Sequence, residues 1–403
     1  MTSSPSSERF WPLALAAAAM MLVTMGIRQS MGLFVAPIHA DAGLDIAGIS
    51  FALAVAQLMW GAVQPVAGAL ADRFGTARVL VAGMLVLAAG CALAPLMPGQ
   101  LGLVVSVGLM TAIGAGIGSF SVLFGAVAQQ LPANRQGLAS GIINAGGSMG
   151  QFVFAPVTQR LIALFGWASA FWALAAASLA ALPLIGKVSR GGTPHLHAAT
   201  PAGGLKQAIA DAFGDPSYIL LHAGFFTCGF HIAFLVTHLP GEVNLCGLPP
   251  SVASWSLAII GLANIFGSLA AGHWVGRHRS KLVLFWMYGS RAVLIAIYLM
   301  MPRTDLTFYL FAAGLGFTWL ATVPPTARLV GKLFGTRYLA TLFGLVLLTH
   351  QVGAFFGAWL GGIAFTRGGD YTWMWYADMT LAAAAAFVNL PIREARMEAM
   401  QPA

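Results

Sequence analysis

The sequence predicts an all-α membrane protein with twelve transmembrane helices arranged in two pseudo-symmetric six-helix bundles. Two features of the composition point to this class: 59% of the residues are hydrophobic and only 8% are charged. An ordinary soluble chain carries roughly 25% charged residues, so this chain has too few charges to cover its apolar surface in water. The 48 glycines also suit the close packing of helices in lipid.

Twelve apolar stretches are each long enough to cross a bilayer, which takes about 20 helical residues. The spans predicted for the first half are 11–37, 48–70, 79–97, 101–127, 137–160 and 166–186. Those predicted for the second half are 216–239, 250–273, 282–301, 306–327, 340–363 and 372–390. A cleaved signal peptide is the alternative for the first span, although its apolar run exceeds the ~7–15 residues usual in a signal.

The positive charges predict the orientation of the chain. With the N-terminus inside, fifteen of the 20 Lys and Arg residues lie on the cytoplasmic side, and only Arg160, Arg303 and Arg367 lie outside. Cytoplasmic loops of membrane proteins carry this excess of Lys and Arg. We therefore expect a multi-pass protein of the cell's inner (plasma) membrane, with both termini in the cytoplasm.

The longest connection, 187–215, predicts the domain boundary. It is rich in Gly and Pro, and such segments are flexible linkers. The expected domains are an N-terminal bundle over 1–186 and a C-terminal bundle over 216–403. His195 and His197 lie in this linker without further ligands nearby, so they are expected to be solvated and to hold no metal.

The two halves share a spacing of glycines. Gly141 and Gly150 are nine residues apart in the fifth span, and Gly344 and Gly353 are nine apart in the eleventh. Parallel repeats of this kind occur in transporters whose binding site lies between the two repeats.

The connection after the second span carries the run Gly68-Ala-Leu-Ala-Asp72-Arg73-Phe-Gly75-Thr-Ala-Arg78. This run resembles the loop 2–3 signature of the major facilitator superfamily in residue type, spacing and location. The resemblance implies a cytoplasmic gating latch formed by Asp72, Arg73 and Arg78. The second half has Gly276 where the acid would be, so the latch is expected to be asymmetric.

A narrower resemblance comes from Arg135-Gln-Gly-Leu-Ala-Ser-Gly141 with Ala145-Gly146-Gly147-Ser148-Met-Gly150, and from Ser30-Met-Gly32-Leu-Phe34. These stretches are similar to the monocarboxylate transporter and oxalate/formate antiporter branch. The sequence departs from that branch in two places. Asn264 and Ser268 stand where mammalian-type monocarboxylate transporters have Asp and Arg. His350 and Gln351 stand where oxalate-type members use a lysine.

Arg28 lies inside the first span, where a charge costs at least about 2.5–3.5 kcal/mol on insertion scales. In the major facilitator superfamily, which this sequence resembles, the first helix lines the central cavity. A guanidinium there can bind a carboxylate through two parallel hydrogen bonds. The alternatives are that Arg28 snorkels to the outer interface or makes a structural pair.

Further ionisable residues lie inside the second-half spans. We expect Arg291 and Asp378 either to form a structural pair or to make separate polar contacts. His231 and His350 are the predicted proton-coupling residues, because a cavity histidine titrates near neutral pH. The alternative for each histidine is a neutral ring bonded to a backbone carbonyl.

Polar residues recur on single helix faces and predict a cavity lining, with helix–helix hydrogen bonding as the alternative. Pro324 and Pro325 predict a bend in the tenth span. The predicted substrate-binding residues are Arg28, Gln57, Asn144, Gln151, Asn264, Thr318 and His350.

The sequence thus predicts a secondary active transporter that moves a small, monocarboxylate-like organic anion by alternating access, coupled to protons. The alternative is a proton-coupled exporter of drugs or metabolites. An enzyme is not expected, because no nucleophile–base pair, metal cluster or nucleotide motif is found, and no cofactor is expected. The net charge of +8 is dispersed along the chain, which excludes a nucleic-acid partner. The expected partners are the anion, the proton and the bilayer, and the expected state is monomeric.

Overall fold

The computed structural model describes residues 5–97, 99–131, 133–189, 202–335 and 338–394, and these residues form helices and short connections without β-strands. In the first half of the chain, up to residue 189, the α-helices are α1 (Pro5–Gln29), α2 (Val35–Ala42), α3 (Ile46–Phe74), α4 (Thr76–Leu93), α5 (Gln100–Leu103), α6 (Ala112–Ile117), α7 (Phe120–Gln130), α8 (Ala133–Ala180) and α9 (Leu182–Val188). Two 3₁₀ turns, Met31–Phe34 and Ala94–Leu96, and a π-helix, Val104–Thr111, complete this half.

In the second half, from residue 202, the helices are α10 (Ala202–Gly214), α11 (Pro216–Leu245), α12 (Pro250–Arg277), α13 (Ser280–Met300), α14 (Asp305–Thr318), α15 (Val323–Phe334), α16 (Leu339–Gly368) and α17 (Thr372–Asn389). The connection predicted as a flexible linker therefore contains a helix, α10. Residues 190–201 of that linker, including His195 and His197, lie outside the described residues.

Ten stretches of the described chain are long and apolar enough to cross a membrane. One of them, Leu138–Val188, contains both the fifth and the sixth predicted spans. These meet at Gly166, whose φ of 79° needs a residue without a Cβ. With α17 as an 18-residue helix, the predicted twelve-helix architecture is confirmed.

The buried side chains form two main cores. One gathers residues of the first half from Phe10 to Val188. The other gathers residues of the second half from Ala212 to Ile392, and Leu33 and Ala155 join it from the first half. Apart from Leu33 and Ala155, each of these two cores is built from one half of the chain, as the predicted two-bundle arrangement requires.

The glycine repeat has matching roles in the two halves. A Cβ on Gly150 of α8 would strike the Leu22 carbonyl of α1, and a Cβ on Gly353 of α16 would strike the Phe226 carbonyl of α11. The fifth span thus packs directly on the first span of its bundle, and the eleventh packs on the seventh.

Two ends of the molecule are useful landmarks. We call them the Gly43 end, where α2 turns into α3, and the Gly75 end, where α3 turns into α4. At the Gly43 end the halves are joined by a hydrogen bond of 3.0 Å from Thr366 Oγ1 to Asp45 Oδ1. Towards the Gly75 end, a Cβ on Gly141 or Gly344 would meet no atom within 4 Å. The halves therefore pack more tightly at the Gly43 end.

At the Gly75 end of the second bundle, the Glu394 carboxylate binds Lys332 and the start of α13, and we call this group the acid clamp. Glu394, 3% exposed, accepts hydrogen bonds from Lys332 Nζ at 2.6 Å and from the backbone N–H of Ser280 at 2.8 Å. Lys281 Nζ in turn donates to the carbonyls of Leu390 and Ile392.

The clamp predicts a pH-dependent stability. Burial raises the pKa of the Glu394 carboxyl, but the hydrogen bonds from Lys332, Ser280 and Lys281 outweigh burial and hold the pKa below its ordinary value of 4.5. A depressed folded-state pKa gives stability that is present above the ordinary pKa and is lost as pH falls through the folded one. Glu394→Gln is expected to lower the thermal unfolding midpoint at pH 7 by roughly 2–4 °C.

The measurement is thermal unfolding of purified protein at pH 7 and at stepwise lower pH. The gap between wild type and Glu394→Gln should shrink as pH falls below 4.5. A gap that stays constant with pH would assign the effect to packing rather than to the charged carboxylate.

Candidate functional site

A pocket between the two halves contains Arg28. The guanidinium projects from the last turn of α1, just before the 3₁₀ turn Met31–Phe34. Gln57 of α3 and Thr111 of the π-helix line the pocket from the first half, and Val236 and Thr237 of α11 line it from the second. Because both halves contribute, a change in their relative position changes the pocket.

Arg28 is held in the pocket by polar and aromatic contacts. Its Nη2 donates a hydrogen bond to Gln57 Oε1. The guanidinium lies over the Trp60 ring, with 4.1 Å from Cζ to the ring centroid, which is a cation–π contact. Its Nε has no hydrogen-bond partner among the described residues. The side chain therefore points into the protein, and part of its donor set is available to a ligand.

No described carboxylate neutralises Arg28. The ion pairs among the described side chains join His231 to Asp378, Arg303 to Glu242 and Lys332 to Glu394. A buried cation without a counter-charge is costly, and an anion at the free donors would offset that cost. Electrostatically, the pocket favours a negatively charged solute.

A second group of predicted residues lies where α8 meets α12. Asn264 Nδ2 donates to Ser148 Oγ across the two halves at 2.8 Å, and Asn264 Oδ1 accepts from the Leu320 N–H at 3.0 Å. Gln151 is buried beside this contact, and its Nε2 has no partner among the described residues. Here the polar stripe makes hydrogen bonds between helices, the alternative to a cavity lining.

Asp378 and Arg291 make separate contacts. Asp378 Oδ2 lies 2.6 Å from His231 Nδ1, and both side chains are 0% exposed. Arg291 instead donates from Nη2 to the carbonyls of Thr318 and Trp319, and from Nε to Thr318 Oγ1 at 3.2 Å.

Arg291 holds a break in the tenth span. The helix stops at Thr318 and resumes at Val323, next to Pro324 and Pro325, so the predicted bend is confirmed. The carbonyls freed at the end of α14 are those that accept from Arg291. Thr318, expected in the cavity lining, faces this guanidinium instead.

The remaining predicted ligands are spread along the second and first bundles. His350 of α16 is buried against Phe225, with ring centroids 5.0 Å apart, and its Nδ1 has no partner among the described residues. Asn144 of α8 is half-buried. Arg28 and Gln57 are thus the predicted substrate residues that line the Arg28 pocket.

The predicted latch follows α3 directly. Gly75 adopts a φ of 89° between α3 and α4, a conformation that favours glycine. Arg73 and Arg78 are exposed, and Arg73 lies over the Phe74 ring. The side chain of Asp72 lies outside the described part of the structure.

Sequence reasoning missed two residues of these sites, Thr237 and Cys228, and one contact, that between His231 and Asp378. Thr237 enters the Arg28 pocket from α11, and Cys228 lies 3.5 Å from Arg291 Nη1. Asp378 was recognised as an intramembrane acid, but its partner was not. His231 and Asp378 are 147 residues apart, so no local spacing signals their contact.

Comparison with known proteins identifies the relatives of this chain. The model of the Major Facilitator Superfamily matches residues 13–301. Monocarboxylate transporter 13 of Rattus norvegicus is 25% identical over 405 residues, covering 97% of this chain and 91% of that protein. The oxalate:formate antiporter of Oxalobacter formigenes is 24% identical over 400 residues, covering 94% and 90%.

Solved structures share the architecture. The crystal structure of D-xylose-proton symporter matches with a TM-score of 0.76 and covers 95% of this chain and 97% of that one. At 15% identity, this likeness concerns the fold alone.

Proposed function

The chain belongs to the Major Facilitator Superfamily, and we propose that it is a secondary active transporter of a small, monocarboxylate-like organic anion, driven by protons. It is a multi-pass membrane protein of a family of transporters, not of enzymes. One observation carries the proposal: Arg28 places a cation in a pocket between the halves, and no described carboxylate pairs with it. The names of the monocarboxylate and oxalate:formate relatives agree with an anionic cargo.

The proposed binding site is centred on Arg28 and Gln57. Arg28 binds the carboxylate with its free donors, and Gln57 and Trp60 hold the guanidinium in place. The other predicted substrate residues do not line this pocket, and we propose that they shape its surroundings. They are Asn144, Gln151, Asn264, Thr318 and His350. Alternating access then opens the pocket to one side of the membrane at a time.

The proposed transport cycle is gated at both ends. The bundle over 1–186 and the bundle over 216–403 move against each other, connected by the linker over 187–215. Asp72, Arg73 and Arg78 form the latch at the Gly75 end, which faces the cytoplasm because the basic residues gather there. The protein acts as a monomer in the inner (plasma) membrane, with both termini inside.

Proton coupling is assigned to the buried histidines of the second half, His231 and His350. An imidazole can accept a proton at one ring nitrogen and release it again, so a buried histidine can carry the coupled proton. The competing function, proton-driven export of drugs or metabolites, would use the same fold with a different cargo.

The test is binding and uptake of defined carboxylates by purified protein. Formate, acetate, lactate and oxalate are added at increasing concentration, and the ligand that fits should raise the thermal unfolding midpoint. At about 100 times its Kd, a ligand stabilises the folded state by about 2.7 kcal/mol. In proteoliposomes, the same labelled carboxylate should accumulate when an inward proton gradient is imposed.

A neutral solute of similar size, such as ethanol or acetamide, is the control and should cause no shift. If none of the carboxylates shifts the midpoint or accumulates, while a hydrophobic drug does both, the export function replaces the anion proposal.

A further inference from the structure

His231 and Asp378 form a dyad that is enclosed in the second bundle. His231 Nδ1 and Asp378 Oδ2 are 2.6 Å apart, and both side chains are 0% exposed. An ionisable pair at this depth is expensive to bury, which makes it a candidate for function rather than for stability alone.

The hydrogen-bonding of the dyad leaves one site open for a proton. When Asp378 is ionised it can only accept, so His231 Nδ1 donates and Nε2 carries the free lone pair. Nε2 has no hydrogen-bond partner among the described residues, and neither does Asp378 Oδ1. A proton added to the dyad therefore binds at Nε2, and the neutral imidazole becomes an imidazolium held by the carboxylate.

A polar cluster adjoins the dyad, and the two meet at Trp319. The titratable side chains of the surrounding polar cluster are Cys228 on α11, Tyr288 and Arg291 on α13, and His350 on α16. The Trp319 ring, from the break between α14 and α15, covers His231 at 6.1 Å between centroids. Asp378 is the described carboxylate that pairs with His231, and Arg291 donates to the Trp319 carbonyl rather than to either member of the dyad.

The charges of the cluster and of the Arg28 pocket are complementary. With a neutral His231, the charges of Asp378 and Arg291 cancel in the count of charges inside the predicted spans, and Arg28 leaves one positive charge in excess. A bound carboxylate cancels that excess and lowers the cost of one further proton. Binding of the anion and of the proton then favour each other, and this linkage is reciprocal.

One helix connects the two sites. His231 lies on α11, which also supplies Val236 and Thr237 to the Arg28 pocket. Five or six residues correspond to about 8–9 Å along a helix axis at about 1.5 Å per residue. In the conformation described here the dyad is closed to water, so it exchanges its proton in another conformation of the cycle.

We infer that Asp378 and His231 together hold the coupling proton, with Asp378 as the carboxylate that stabilises the protonated imidazole. This inference rests on the proposed anion transport and assigns its proton to one site. Of the two histidines proposed for proton coupling, the inference therefore selects His231, because His350 faces Cys228 and Phe225 rather than a carboxylate.

The test separates proton-driven accumulation from exchange. Asp378→Asn and His231→Gln are reconstituted, and uptake of the carboxylate that stabilises the wild type is measured in two modes. Accumulation driven by an inward proton gradient should be lost. Exchange of external label for internal carboxylate needs no net proton movement and should be retained.

A second readout is the pH dependence of carboxylate binding. In the wild type, affinity should rise about fivefold or more from pH 8 to pH 6, the range usual for linked sites. In both variants it should stay constant over this range. Asp370→Asn is the matched control, because Asp370 is exposed and caps the backbone N–H of Thr372 outside the bundle.

Two outcomes overturn the inference. The first is proton-driven accumulation that persists in both variants. The second is loss of exchange together with accumulation in both variants although they remain folded, which would mark the dyad as structural. If the wild type neither binds nor transports carboxylates, the proposed function fails instead, so the two failures are distinguishable.

Discussion

Arg28→Ala is expected to abolish carboxylate uptake while the protein stays folded. The guanidinium is the one described cation that projects into the pocket between the halves. Losing the charged partner of a buried anion costs about 2–5 kcal/mol, which lowers affinity roughly 30-fold or more. The fold should survive, because Arg28 has only Gln57 and Trp60 as described polar or aromatic partners, and its removal relieves an uncompensated charge.

Arg28→Lys should fail almost as severely. Lysine keeps the positive charge but not the planar fork that binds a carboxylate through two hydrogen bonds. It also cannot reproduce the stacked contact with Trp60, in which the guanidinium lies 4.1 Å from the ring centroid. The two variants together separate a need for charge from a need for geometry.

The measurements are uptake in proteoliposomes and the thermal shift caused by the same carboxylate. Arg160→Ala is the control, since Arg160 is an exposed arginine of the same bundle. Uptake retained by Arg28→Ala would remove Arg28 from the binding site and the anion from the proposed function, although the carrier architecture would remain.

The fold was predictable because apolar length and charge placement are local properties of the chain. Each membrane span needs only enough consecutive apolar residues, and each turn is marked by charges, Gly or Pro. The boundary at Gly166 illustrates the limit. Two predicted spans meet there within one continuous run, and only the positive φ of 79° separates them.

The candidate site was predictable only in part, because it depends on contacts between distant segments. Periodicity identifies the face on which a residue lies, but not the helix that covers this face. Thr318 and Thr322 are four residues apart, so an unbroken helix would place them on one face, as a cavity lining would require. In the structure, however, Thr318 accepts from Arg291, and Thr322 contacts Cys228.

Arg28 itself was identified by the cost of placing a charge within a span and by the family resemblance, which puts the first helix at the cavity. The same reasoning selected Asp378 and Arg291, but it left their partners open. The structure identifies a different partner for each of these two side chains. The carboxylate meets an imidazole on α11, and the guanidinium meets the carbonyls at the end of α14.

Arg291→Ala is expected to be the most destabilising substitution of the second bundle. Arg291 is fully buried and makes hydrogen bonds to the Thr318 and Trp319 carbonyls, to Thr318 Oγ1 and to Cys228 Sγ. Its removal leaves acceptors unsatisfied, at about 1–3 kcal/mol each. Together these costs lower the free energy of unfolding by about 3 kcal/mol or more, which should lower the thermal unfolding midpoint by about 5 °C or more.

The measurement is thermal unfolding of detergent-purified protein, with folded yield as a second readout. Arg291→Lys should fall between alanine and wild type, because an ammonium can reach one carbonyl but cannot bridge the carbonyls and Thr318 at once. Arg279→Ala is the matched control, since Arg279 is exposed at the start of the same helix and should leave the midpoint unchanged. A midpoint for Arg291→Ala equal to that of Arg279→Ala would show that the break in the tenth span does not depend on the guanidinium.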